Sequence, residues 1–182
     1  TENKSKLGAN SILAVSIAAS KLAAKYKKIS LFKYLGGSNA CQLPIPLMNI
    51  INGGAHANNS LRIQEFMIRP ENAKTFSEAV RMCFLVIQNL KNIISLKNFS
   101  TTVGDEGGFA PSLNSNEDAI ELILTSIEKS GFKPGEDISI CLDVASNELF
   151  KDGKYSIKSS NFETSKITID YYLDLIGKYP IK

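Results

Sequence analysis

The chain has 182 residues, of which 43% are hydrophobic and 21% charged, a globular composition that excludes a disordered chain, a collagen-like repeat and a coiled coil. Its 21 lysines and arginines barely exceed its 18 aspartates and glutamates, giving a formal net charge of +3. The lysines are spread out, the tightest group being Lys25, Lys27 and Lys28, so no basic stripe with interleaved aromatics marks a nucleic-acid binder.

In chain order, residues 9–27 read as one helix rich in Ala and Ser. The apolar stretch 12–24 inside it is interrupted by Ser16, Ser20 and Lys21, and Glu2 spoils a basic leader. A small-residue helix packed on a neighbour is therefore expected, not a secretory signal. Ser30 can cap a short second helix over 31–35, ended by Gly36 and Gly37. Ser38-Asn39-Ala40 is a polar link and the candidate domain boundary.

Residues 43–51 read as a strand, with Pro44 and Pro46 near its start, where a ladder donor is least missed. Asn52-Gly53-Gly54 breaks it, a polar loop carries His56, and 63–68 is a second strand. Thr75 and Glu78 form a capping box that opens a long helix to residue 96. Its apolar positions, Ala79, Met82, Cys83, Val86, Leu90, Ile93 and Ile94, follow helical spacing. A glycine-rich loop over 103–111 leads to a third helix at 116–130, capped by Ser115 and stopped by Gly131.

Residues 137–144 form a further strand. Asp152-Gly153 turns between extended pieces at 148–150 and 154–157. Thr164 or Ser165 caps a last helix that ends near Tyr179-Pro180, and a new strand is expected at Ile181. Beyond residue 40, two strands are followed by alternating helix, strand and helix, which argues for an α/β class with parallel pairing. Cys41, Cys83 and Cys141 are too few and too widely spaced for a disulfide framework or metal knuckle. Cys83 and Cys141 read as small core residues, and a reducing, cytoplasmic compartment fits. No uninterrupted apolar run reaches the ~18 residues of a membrane span.

Charged residues within or beside apolar strands are costly to bury and need a reason. Alternation puts Ile63, Glu65 and Met67 on one strand face and Gln64, Phe66 and Ile68 on the other. Two readings stay open: polar groups inside a layer packed on both sides, or an edge strand with its polar face in water. In Gly104-Asp105-Glu106-Gly107-Gly108, adjacent carboxylates flanked by glycines allow a sharp turn and close approach to a ligand, although the same residues also make ordinary surface turns. Asp143 ends a strand whose one face carries Ser139, Cys141 and Asp143. An acid at that end suits a barrel active site and a hard cation such as Mg²⁺; the alternative is a hydrogen-bonded or capping Asp.

Taken together, the segments resemble the enolase family. The motifs are Met-Asn-Ile-Ile-Asn-Gly-Gly (48–54), His56-Ala57, Ile-Gln-Glu-Phe-Met-Ile (63–68), Val-Gly-Asp-Glu-Gly-Gly-Phe-Ala-Pro (103–111) and Leu-Asp-Val-Ala (142–145). The opening Thr-Glu-Asn-Lys-Ser-Lys-Leu-Gly-Ala-Asn (1–10), Lys-Asp-Gly-Lys-Tyr (151–155) and Lys-Tyr-Pro-Ile (178–181) also look like enolase. The likeness covers essentially the whole chain. Any one motif is weak; their joint occurrence in this order is specific.

The resemblance implies a partial (β/α)8 enolase-type barrel at 39–182. It also implies that residues 1–38 are the helical end of an N-terminal α+β domain. It implies a glycolytic, Mg²⁺-dependent lyase that reversibly dehydrates 2-phosphoglycerate to phosphoenolpyruvate. Matched residue by residue, Glu106 is the acid that protonates the leaving hydroxyl and Glu65 the second glutamate that positions that group. Gln64 and His56 match substrate-contacting positions, as does Glu65, and Asp143 matches one of three metal carboxylates. Asp105 and Asn52 lie beside matched residues and receive no direct role. Val144 stands where many enolases have Cys, and Arg62 adds a charge that not all members carry.

The family's proton-abstracting lysine, its other two metal carboxylates and its substrate-clamping Arg-Ser pair are expected beyond Lys182, and its mobile serine loop before Thr1. The length also falls short of the ~250 residues of a complete barrel, and the chain opens on Thr1. An inactive internal fragment is therefore expected. The resemblance further implies a homodimer, or an octamer in some members, when intact. It implies a cytoplasmic location, with some members at the cell surface or secreted, and neither a nucleic-acid partner nor a membrane span. Two other readings are a non-catalytic scaffold or adhesin and a superfamily member acting on another carboxylate. The His-Ala and Gly-Asp-Glu-Gly-Gly segments speak against the latter.

Overall fold

The structure is a computed structural model that describes residues 4–157 and 163–182. Thr1, Glu2 and Asn3, which open the first motif, lie outside that set. The chain divides into two compact units, Thr1–Leu43 and Pro44–Lys182.

In the first unit, α1 (Ala9–Tyr26) leads to the short α2 (Leu31–Gly36). Ser30 stands at the N-cap of α2, but its side chain makes no capping hydrogen bond. Ala24 is the one buried residue of α1, while Leu13, Val15 and Leu22 are exposed. The small residues of α1 thus find little to pack against within this unit.

The second unit holds the core. Strands β1 (Met48–Asn52), β2 (Glu65–Pro70) and β3 (Ile138–Asp143) form a sheet in that order. Residues 43–47 lie outside the strand, as the missing N–H groups of Pro44 and Pro46 allow. Helices α3 (Phe76–Leu96) and α4 (Asn116–Lys129) fall between β2 and β3, and α5 (Ser165–Lys178) follows. Ile50, Ile51, Phe66, Ile68, Ile138 and Ile140 pack with Val86, Leu90, Ile94, Ile120 and Ile123 in one buried cluster. Cys83 and Cys141 are buried free thiols, and burial pushes the Cys83 thiol up to about 11.

The helix ends follow local chemistry. Thr75 Oγ1 accepts the N–H of Glu78 at 3.1 Å, while the Glu78 carboxylate turns to Arg81 (2.7 Å), so half of the expected capping box forms. Ser115 accepts the N–H of Asp118 at 3.1 Å. The seven buried residues of α3 are those given by helical spacing. Among the described residues, α3 is the one helix long and apolar enough to cross a membrane; here its apolar stripe belongs to the core of the sheet and α4.

Parallel pairing, expected from the alternation of elements, is corrected by the register. β2 runs antiparallel to both neighbours. The connection from Gly53 to Gln64 carries only the 3₁₀ turn Gly54–His56 and no crossover helix, the usual route to a parallel return. β1 and β3 therefore run the same way, with one reversed strand between them. Pairing continues at both sides: Phe109 bridges Ile51 in parallel, and Ile181 bridges Ile140 in parallel. The latter is the start of the strand expected at Ile181.

Two further differences are local. Residues 146–149, expected partly extended, form a 3₁₀ turn (Ser146–Leu149) after Ala145 at φ 48°. The following hairpin, β4 (Phe150–Lys151) with β5 (Lys154–Tyr155), forms around Asp152-Gly153 as expected. Ile50 is the extra residue of a bulge between the Asn49–Met67 and Ile51–Phe66 pairs.

Candidate active site

The reversed β2 decides where the carboxylates meet. Glu65 is its first residue, so it lies beside the last residues of β1 and β3. Its direct cross-strand partners are Asn52 on one side and Asp143 on the other. Residues opposite one another in a ladder project from the same face, so one sheet face carries all three at one end. Glu65 is thus on the central strand, and the edge-strand alternative falls away.

Two loops bring further groups to this end. After β1, Gly53 N–H donates to Gln64 O and Gly54 N–H to Leu61 O, both at 2.9 Å. These bonds close the loop into a 3₁₀ turn, Gly54–His56. The second loop is pinned to β1, where Asn52 N–H donates to Phe109 O and Phe109 N–H to Ile50 O, both at 2.9 Å. Its tip closes by Gly104 N–H to Gly108 O at 2.8 Å, and Asp105 N–H donates to His56 O at 3.1 Å. Gly107, at φ 82°, supplies the left-handed residue that this tight turn requires.

These loops place His56, Glu65 and Glu106 in one cluster, with ligand atoms all within 4.8 Å of one another. His56 Nδ1 stands 3.6 Å from Glu65 Oε1 and 3.9 Å from Glu106 Oε2. It is buried and makes no hydrogen bond among the described residues. Glu106 is half exposed, whereas the Glu65 side chain is only 13% exposed. Burial, then hydrogen bonding to Glu106 and the charges of Glu106 and Asp143, push the Glu65 carboxyl up to about 7, against the opposing pull of His56. Two carboxyls this close cannot both ionise freely. Near neutral pH the Glu65 carboxyl is therefore only partly ionised, and a carboxyl that keeps its proton there can take part in acid catalysis.

Asp143 and Gln64 lie to the other side of Glu65. Asp143 is exposed, and its Oδ1 accepts the N–H of Ala145 at 3.0 Å. With Val144 and Glu148 they line a cleft of about 490 Å³. His56 and Glu106 are not among its walls. As an oxygen ligand open to solvent at a strand end, Asp143 suits a hard divalent cation. The nitrogen-containing His56 cluster suits one less well.

One buried polar residue gave no functional signal in the sequence. Asn116, the first residue of α4, accepts the N–H groups of Arg62 (3.1 Å) and Ile63 (3.3 Å), and donates to Ile157 O (3.1 Å) and the Tyr171 hydroxyl (3.2 Å). It clamps the segment that leads into Gln64 and Glu65. At the start of a helix an Asn reads as an ordinary end residue, so only its burial reveals this role.

Comparison with known proteins points to one family. Residues 40–182 match the family model of the enolase C-terminal TIM barrel domain, and residues 1–35 that of the enolase N-terminal domain. A curated protein of Pelagibacter ubique (strain HTCC1062), named Enolase, is 60% identical over 182 residues, covering 100% of this chain and 44% of that protein. The chain thus spans less than half the length of this relative.

Proposed function

The chain belongs to the enolase family, and from that premise we propose that the protein containing it is a lyase that reversibly dehydrates 2-phosphoglycerate to phosphoenolpyruvate. The carboxyl pair of Glu65 and Glu106 carries the proposal, because it stands at the end of the sheet where β1 and β3 terminate, with the Glu65 carboxyl pushed up by burial and by Glu106. Loss of hydroxide from carbon is slow unless the oxygen is protonated as it leaves. Glu106, half exposed at a loop tip, donates that proton. Glu65, more buried and fixed by two cross-strand neighbours, holds and orients the leaving group. His56 and Gln64 reach the substrate from the two sides of Glu65. Asp143 would hold Mg²⁺ as one of several carboxylates. Bound there, the cation would supply charge stabilisation to the multiply charged substrate.

Residues 1–38 are read as the end of the N-terminal domain and 39–182 as the first part of the barrel. The intact protein is read as cytoplasmic and homodimeric. Glu106→Gln in the full-length protein tests the assignment, with phosphoenolpyruvate followed by ultraviolet absorbance. Turnover is expected to fall by about 100- to 10,000-fold. Retention of full turnover would remove Glu106 from the chemistry.

A further inference from the structure

Asn52 is the last residue of β1 and is fully buried, yet the chemistry above gives it no task. Its Oδ1 accepts from Asn49 Nδ2. Its Nδ2 makes no hydrogen bond among the described residues, and a buried donor in that state costs free energy. Hydrogen bonding therefore accounts for only half of the carboxamide, whereas both of its ends meet the glycine loop. A Cβ on Gly108 would stand 2.7 Å from Asn52 Oδ1, and a Cβ on Gly104 would overlap Asn52 Nδ2. The carboxamide fills the space beneath both ends of the loop that carries Glu106. The backbone of Asn52 is itself fixed, donating to Phe109 O at 2.9 Å and accepting from Asn59 Nδ2 at 3.0 Å. Its cross-strand partner is Glu65.

We propose that Asn52 is a positioning residue for Glu106: its side chain is the floor on which the Gly104–Gly108 turn rests, and it sets the height of the Glu106 carboxyl against Glu65 and His56. This rests on the reading of Glu106 as the leaving-group acid. In that reaction the C2–H bond breaks and its proton passes to a base of the full-length protein. The electron pair forms the C2=C3 bond. The C3–O bond breaks, and the oxygen leaves as water after taking the proton of Glu106. A misplaced Glu106 slows the C3–O step and leaves C2 proton removal in place.

The test uses the full-length protein with 2-phosphoglycerate. Dehydration is followed by absorbance, and exchange of the C2 hydrogen with solvent deuterium by NMR. For Asn52→Ala, kcat for dehydration is expected to fall about 10- to 100-fold, as a catalytic group displaced by about 1 Å would cause. KM and the exchange rate should each stay within about threefold, since neither depends on the acid being in place. Gly108→Ala, whose methyl would press on Asn52 Oδ1 and on the β1 backbone at Ile50 and Ile51, should likewise slow dehydration more than exchange. Unchanged dehydration in Asn52→Ala, or a parallel fall of exchange and dehydration, would overturn the proposal. So would loss of fold in both single variants by circular dichroism, which would leave Asn52 a purely structural part. Absence of any turnover in the unsubstituted protein would instead overturn the functional reading itself.

Discussion

The Glu65 carboxyl, pushed from 4.5 to about 7, makes stability depend on pH. In that window the folded protein binds a proton that the unfolded chain has released. The contribution of Glu65 to stability is therefore full below about pH 4.5 and falls as pH rises toward 7, with a slope of at most about 1.4 kcal/mol per pH unit. Glu65→Gln removes the slope. Thermal unfolding in the presence of a chelator should show this variant gaining on the parent at pH 8 relative to pH 5; an equal offset at both would refute it. The oddness of Glu65 was legible in the sequence, because a carboxylate interrupts an apolar strand. Its burial was not, because period-two alternation looks alike in a central and an edge strand until the partners are known. Asn52 was still less legible: an Asn before two glycines reads as a turn, and the loop it supports lies some fifty residues away.

At the scale of elements, the helices were the most legible parts, since spacing named every buried position of α3 and Thr75 marked its start. Thr75→Ala should cost about 1 kcal/mol of unfolding free energy in denaturant titrations, the usual worth of such a cap. Asn116→Ala should cost more, about 2–4 kcal/mol, because it removes four hydrogen bonds to three other segments at once. A loss below that of Thr75→Ala would show that water replaces the clamp. Strand direction was the least legible property. Alternation of helix and strand suggested parallel pairing, and the contrary signal was the absence of a helical stretch between β1 and β2. Residues 43–47 misled because apolar alternation continues through Pro44 and Pro46, where the ladder cannot.

At the scale of the whole molecule, large apolar side chains remain uncovered within each unit: Leu13, Val15 and Leu22 on α1, and Ile167, Ile169, Leu173 and Ile176 on α5. Surfaces of this kind bind other apolar surfaces. The 182-residue chain by itself is expected to self-associate in sedimentation, to bind hydrophobic dye and to show no turnover of 2-phosphoglycerate. A soluble monomer with one sharp melting transition would contradict this. The reversed β2 also sorts the molecule's two ends by their tolerance of change. His56, Gln64 and Glu65 all sit on the single link between β1 and β2 or at its close, and the Glu106 loop is bonded to His56 beside it. Added length there would shift several reacting groups together. At the far end of the same strands, the turn at 133–136 before β3, exposed at Lys133 and Glu136, contains none of these groups. Tags, labels and inserted sequences therefore belong at that end, where lengthening the chain leaves the chemistry in register.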